Sequence, residues 1–218
     1  MKPFLFLSVI VSMFLFACTE APEGQQVEAK EAEEIEQPTS AADTLMVDTE
    51  GSSVAWVATE PGEEGHNGLI YLQGGQLYLT DGAITGGEFV IDMKSIDVKD
   101  LQGKGKTKLE GHLQGDDFFQ AETYPTATFT IARVEESTED STVSHLITGN
   151  LAMMDSVKSI QIPANVSIAE SSLSAETPQF TIDRTQWGVQ YRSGLIGTIA
   201  DKIIDDQIGL KIDLKASK

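Results

Sequence analysis

Cysteine is almost absent from this sequence, and so are the residue groupings that mark most enzymes. With Cys18 as the single cysteine, no intrachain disulfide can form, and the fold must stand on its apolar core. The three histidines, His66, His112 and His145, lie far apart, and none has a second ligand at metal-binding spacing. No G-x-S-x-G, H-E-x-x-H or phosphate-cradling glycine loop occurs. Basic residues are scarce as well: 15 Lys and Arg stand against 34 Asp and Glu, for a formal charge of -19. Nucleic-acid affinity rests on cationic contacts to phosphate, so this balance argues against a nucleic-acid binder. The same charge repels anionic headgroups, and membrane association would need a separate device.

Long hydrophobic runs are missing, with one short exception. In MKPFLFLSVIVSMFLFAC the apolar stretch from Phe4 to Phe16 is too short to span a bilayer comfortably and has the length of a signal-peptide core. An ordinary secretory signal with an incidental cysteine is one reading. However, Leu15-Phe16-Ala17-Cys18 resembles the bacterial lipobox, in which the cysteine is lipidated and becomes the first residue of the mature chain. Residues 1–17 are therefore expected to form a lipoprotein-type signal peptide, with Cys18 as the lipidation site and membrane anchor. Thr19 is not the Asp that retains many lipoproteins at the inner membrane, which favours the outer membrane, with the domain facing periplasm or cell surface. Between residues 19 and 42 there are seven Glu and one Lys but almost no large apolar side chain. Such a segment buries too little to offset its ordering entropy, so 18–42 is expected to be an acidic disordered tether with a reach on the order of 30 Å. A helix over VEAKEAEEIE would have too little apolar face.

From Asp43 onward the pattern changes to period-two alternation broken by Gly, Asp and Asn. Ile160, Ile162, Ala164, Val166 and Ile168 alternate with polar residues, as do Leu210, Ile212 and Leu214. Phe89, Ile91 and Met93 repeat the pattern, as do Ala127, Phe129 and Ile131. Helical periodicity is scarce: one short helix is expected around Lys108–Gln114 and another turn around Thr198–Asp205. Gly103-Lys104-Gly105-Lys106 reads as a flexible turn. Antiparallel strands with one apolar face each need a common interior, which either a sandwich or a closed barrel supplies. One all-β domain over 43–218 accounts for the whole region.

Candidate chemistry is thin. Asp116-Asp117 and Asp205-Asp206 could act as acid and base only if burial split their pKa values, and in a chain this acidic they read as hydrated loop residues. No catalytic residue, metal ligand or cofactor is assigned. The aromatics are more informative. Phe118 and Phe119 follow two aspartates in GDDFFQAETYPTATFTI, in a segment that does not alternate like a strand; they either plug a core or line a cavity mouth. Trp187 and Tyr191 sit in a second such segment, FTIDRTQWGVQYRSG. An eight-stranded barrel leaves room for packed side chains or for one small ligand.

Five stretches, in order, resemble the YceI-like family: Gly87–Val98, His112–Phe119, Tyr124–Phe129, Gly149–Leu151 and Asp183–Val189. The resemblance covers nearly everything from Asp43 to the end. It implies a lipocalin-like eight-stranded antiparallel β-barrel with one or two short helices, and non-enzymatic binding of a long apolar lipid such as a polyisoprenoid in the bacterial periplasm. By the same resemblance the Asp-Asp-Phe-Phe segment follows a short helix over one barrel end, and Phe89, Ile91, Phe129, Ile131, Ile160 and Ile162 line the cavity. Together with Phe118, Phe119 and Trp187 these are the expected lipid-binding residues. The chain departs from the family at Ala152-Met153-Met154-Asp155, where Asp155 is expected to serve a tight turn tolerant of positive φ, and at Arg192-Ser193-Gly194. A barrel filled by side chains, serving as an interaction or stress-response module, is the alternative. Whether the chain forms a homodimer is open at this level.

Overall fold

The computed structural model describes residues 21–35, 42–60, 63–138, 142–196 and 203–218. The expected signal peptide, residues 18–20 and residues 36–41 of the expected tether lie outside them. The strands are β1 (Gln25–Gln26), β2 (Asp43–Val47), β3 (Ser53–Glu60), β4 (Glu63–Thr80), β5 (Ala83–Asp92), β6 (Asp97–Val98), β7 (Thr126–Glu136), β8 (His145–Met153), β9 (Ser156–Ile168), β10 (Ser172–Glu176), β11 (Phe180–Asp183) and β12 (Gln207–Ser217); α1 spans Gly103–Gln114. Eight of the strands close into a ring, β3-β4-β5-β7-β8-β9-β10-β12 and back to β3, with every neighbouring pair antiparallel. Closure removes the exposed strand edges that an acidic, disulfide-free sheet would otherwise carry.

The alternation in the sequence sets which side chains enter the ring. Phe89 pairs directly with Phe129, and Ile91 with Ala127, so one apolar stripe of β5 meets one of β7 across the interior. β4 is 18 residues long and, besides β5 and β6, pairs with β3 along its first half and β2 along its second. A bulge between Leu72 and Gly74 reverses the parity of its inward face. The inward set therefore runs through Ile70 and Leu72, then Leu77 and Leu79.

Three local expectations change. Helix α1 begins at Gly103, five residues before Lys108, and takes in the Gly-Lys-Gly-Lys stretch read as a flexible turn. Lys106 in its first turn bonds Asp97 and faces Glu110 at i,i+4, 3.6 Å away, and Glu110 accepts from the Val98 amide at 3.1 Å. These bonds to β6 hold a segment that its glycines would otherwise leave loose. In the β8–β9 hairpin it is Met154, at φ +55°, and not Asp155, that takes the left-handed conformation. Residues 203–205 of the second expected turn are not helical, and 198–202 lie outside the described residues.

The expectation of disorder over 18–42 fails for residues 21–35. β10 pairs with β9 only over residues 165–168, and β11 lies beyond, so two backbone edges face each other across a gap. The acidic segment fills it. β1 pairs in parallel with β11, the Val27 amide donates to the Thr181 carbonyl at 2.8 Å, and Lys30 exchanges two backbone bonds with Ser159 at 2.9 and 3.0 Å. Asn150 then exchanges two bonds with the Glu33 backbone, at 2.8 and 2.9 Å, and Arg133 forms an ion pair with Glu33. Val27 is buried in the core and Pro22 lies against Gly209. Composition hid this because a strap needs only two or three apolar contacts once waiting strand edges satisfy its backbone.

Candidate functional site

The interior of the ring is filled at one end and hollow at the other. Toward the β2 end, Leu45, Leu77, Ile131, Ile160, Ile162 and Phe180 are packed with no access to solvent beyond a few per cent. Toward the opposite end lies a cavity of about 300 Å³. β3 contributes Val54, Trp56 and Ala58 to its wall, β4 Ile70, β5 Ile91, β7 Ala127, β8 Leu151 and Met153, and the β11–β12 side Ile182, Ile208 and Leu210. α1 covers the opening with Leu109 and Leu113, which at i,i+4 share one helix face. The wall is thus built mainly from apolar side chains, Trp56 among them, with Glu60, His66, Arg184 and Arg192 also on its lining.

An aromatic cluster closes the mouth beside α1. His112 lies edge-on between Phe118, at 5.1 Å, and Tyr191, at 4.9 Å. Phe118 also meets Tyr191 at 5.1 Å and Phe119 at 6.5 Å. All four side chains line the cavity. Asp116 and Asp117, by contrast, are exposed, with Asp117 3.7 Å from His112, so the acids of this segment belong to a hydrated turn and its phenylalanines to the mouth.

Polar groups at the rim are matched among themselves. The Arg184 guanidinium is buried and donates to the carbonyls of Val189 (2.8 Å), Ile204 (3.0 Å) and Asp205 (3.1 Å), and to the Asp206 carboxylate (3.2 Å). Ser193 donates to the other oxygen of Asp206 at 2.9 Å. Burial pulls the Arg184 pKa below its usual range, against the opposing pull of Asp206, Asp183 and Asp205. The Asp205-Asp206 pair, read as hydrated, is therefore a structural clamp on the loop that carries Tyr191. His66 lies 2.7 Å from Asp100, and Arg192 lies 3.7 Å from Glu60. Among the described residues no three His, Cys, Asp or Glu side chains converge on one point.

Of the nine expected lipid-binding residues, Ile91, Phe118 and Phe119 line the cavity. Phe89, Phe129, Ile131, Ile160, Ile162 and Trp187 do not; they belong to the packed core. The correction has a simple cause. Alternation tells which residues point inward but not at what height along the barrel axis they do so. Trp187 is fully buried and its Nε1 donates to the Leu151 carbonyl at 2.9 Å, which pins its segment to β8 beneath the cavity wall. The residues missed, Trp56, Ala58, Ile70 and Ile208 among them, carry the same period-two signal as those identified. The Trp56 ring lies on Gly68, where a Cβ would come within 2.8 Å of it, and its Nε1 has no hydrogen-bond partner.

The family model for the YceI-like domain matches residues 45–216. The fold is shared with solved structures, among them these two. Burkholderia cenocepacia BcnA is 20% identical, aligns over 78% of this chain and 99% of its own, and has a TM-score of 0.62. A polyisoprenoid-binding domain from Saccharophagus degradans, implicated in plant cell wall breakdown, is 12% identical over 79% of this chain and 97% of its own, with a TM-score of 0.56. No curated protein matches the sequence.

Proposed function

The chain belongs to the YceI-like family, and on that premise we propose that it is a non-enzymatic carrier that holds the apolar chain of an isoprenoid-like lipid in the open half of its barrel. One observation carries the proposal: a cavity of about 300 Å³ lined mainly by apolar side chains and reached past α1 and the Phe118–Tyr191 cluster. Burial there is worth about 0.8 kcal/mol for each CH₂ removed from water, less the cost of ordering a flexible chain. The binding attributed to the Saccharophagus degradans domain supports the same class of ligand. The acid and bases on the cavity lining are already engaged, Glu60 with Arg192, His66 with Asp100, and His112 with Asp117 and the Phe118 and Tyr191 rings, so the reading assigns no reaction.

Anchoring through a lipidated Cys18 to the outer membrane, with the barrel in the periplasm or on the cell surface, is the second half of the proposal. The docked strap amends its geometry. Cys18 precedes Pro22, packed on the barrel wall, by four residues, a reach of at most about 14 Å. Such a carrier would sit close against its membrane rather than on a long tether. Cys18→Ser should move the protein from the membrane to the soluble fraction; persistence in the membrane would contradict the anchor.

Native mass spectrometry of the full chain, purified without detergent, tests the carrier. A stoichiometric adduct with the mass of an apolar lipid is expected. A clean apo mass, together with no uptake of added prenyl alcohol, would favour the alternative of an interaction module with no bound lipid.

A further inference from the structure

We infer that the Phe89–Phe129 pair sets the length of chain the cavity accepts, stopping it after two to three prenyl units or an alkyl chain of similar length. The inference rests on the carrier reading and adds a limit to it. Ile91 and Ala127 are direct partners on β5 and β7, and both line the cavity. One inward step along the same strands come Phe89 and Phe129, again direct partners. Their rings lie 6.4 Å apart and 24° from parallel, buried and outside the cavity lining. They form a shelf.

Two glycines let the rings lie there. A Cβ on Gly149 would come within 2.5 Å of Phe129 Cζ, and one on Gly75 within 3.1 Å of Phe89 Cδ1. With those side chains absent, each ring can cover the strand beside it. Below the shelf Leu77, Ile131, Ile160 and Phe180 are packed, so a chain that reaches it meets a wall.

Depth gives the upper end of that limit and volume the lower. The wall runs from Val54 to Glu60 on β3 and from His66 to Ile70 on β4. At about 3.3 Å per residue and a strand tilt near 40°, that is a depth on the order of 10–15 Å. A prenyl unit adds four main-chain carbons, about 5 Å at bond lengths near 1.5 Å. The cavity of about 300 Å³ holds on the order of ten non-hydrogen atoms if each takes roughly the 30 Å³ share of a water. Any longer chain must leave its remainder at the mouth, along Leu109, Leu113 and Phe119.

Calorimetric titration of the full chain with geraniol, farnesol and geranylgeraniol, of two, three and four prenyl units, tests the limit. Affinity should rise about tenfold or more from geraniol to farnesol and less than about threefold from farnesol to geranylgeraniol, whose last unit stays outside. In Phe129→Ala the break should move outward, with geranylgeraniol gaining about tenfold over farnesol. Ala127→Leu, which adds bulk above the shelf and does not depend on the fold surviving a large truncation, should move the break inward and weaken farnesol more than geraniol. Affinity that climbs without a break through geranylgeraniol, or a break that stays in place in Ala127→Leu, would overturn the shelf while leaving the carrier standing. Failure of all three alcohols to bind would overturn the carrier reading and the shelf together.

Discussion

Along β5 the side chains of Phe89 and Ile91 enter the same barrel, yet one is wedged against Phe129 and the other faces a hollow. The contrast extends around the ring. In the packed half, large side chains meet inward glycines such as Gly87, where a Cβ would come within 3.0 Å of Leu77, so volume is filled by pairing big with small. In the open half, the inward positions include Ala58 and Ala127, and although the Trp56 ring lies on Gly68, the space beside them stays hollow. The roof of the open half is also different in kind. α1 buries none of its residues and is held by Lys106, Asp97 and Glu110, while the Tyr191 loop is held by Arg184 and Asp206. Polar clamps at the rim support a cover without filling the space beneath it. Stability and binding are thereby assigned to different ends of one barrel.

Truncation separates the ends most sharply. Phe180→Ala, at a position 1% exposed, should cost about 3–5 kcal/mol in denaturant unfolding. Ile208→Ala, on the cavity wall, should cost less than about 1.5 kcal/mol, because the space beside it is already empty, and should show its main effect in weaker lipid binding. Similar losses at both positions would mean that the hollow is as tightly packed as the core. The two tryptophans sharpen the comparison at smaller scale. Trp187→Phe loses a buried hydrogen bond to Leu151 and should cost about 1–3 kcal/mol. Trp56→Phe removes an N–H that has no partner and should change stability by less than about 1 kcal/mol, with the difference read from denaturation midpoints.

The smallest expected effect concerns the roof. Hydrogen bonds and ion pairs with Lys106 and Lys99 hold the Asp97 carboxyl at about 2, below its ordinary 3.8. A carboxylate whose pKa is lowered on folding contributes stability that is present above the unfolded value and lost as pH falls through the folded one. The contribution of Asp97 should therefore fade between about pH 4 and pH 2, and Asp97→Asn should flatten that part of the acid-unfolding curve. The pairs are partly exposed, so added salt should reduce the effect. An unchanged curve in the variant would mean that the Asp97 pairs do not hold α1.

Much of the barrel was legible because period-two alternation is a direct consequence of strand geometry: Ile160 to Val166, Phe89 and Ile91, and Leu210 to Leu214 all lie on strands with inward faces as expected, while Ile168 at the end of β9 is exposed. Closure into a ring was implied only by family resemblance, since alternation is the same in a sandwich. The height of each residue along the axis was not legible, because it depends on strand stagger and on the bulge at Leu72–Gly74. That is why Phe129 and Ile162 were assigned to a cavity whose wall is in fact carried by Ala127 and Ile208. The docking of residues 21–35 was hidden for a related reason. Its partners, Thr181, Ser159 and Asn150, are distant in sequence, and its own composition is that of a solvated segment.

The most direct test of the division is a methyl NMR titration of the full chain with farnesol. Shifts are predicted at Ile70, Ile91, Leu109, Leu113 and Ile208, with Leu77, Ile131, Ile160 and Ile162 left unchanged. Shifts spread equally through both groups, or confined to the second, would contradict a barrel that folds on one half and binds with the other.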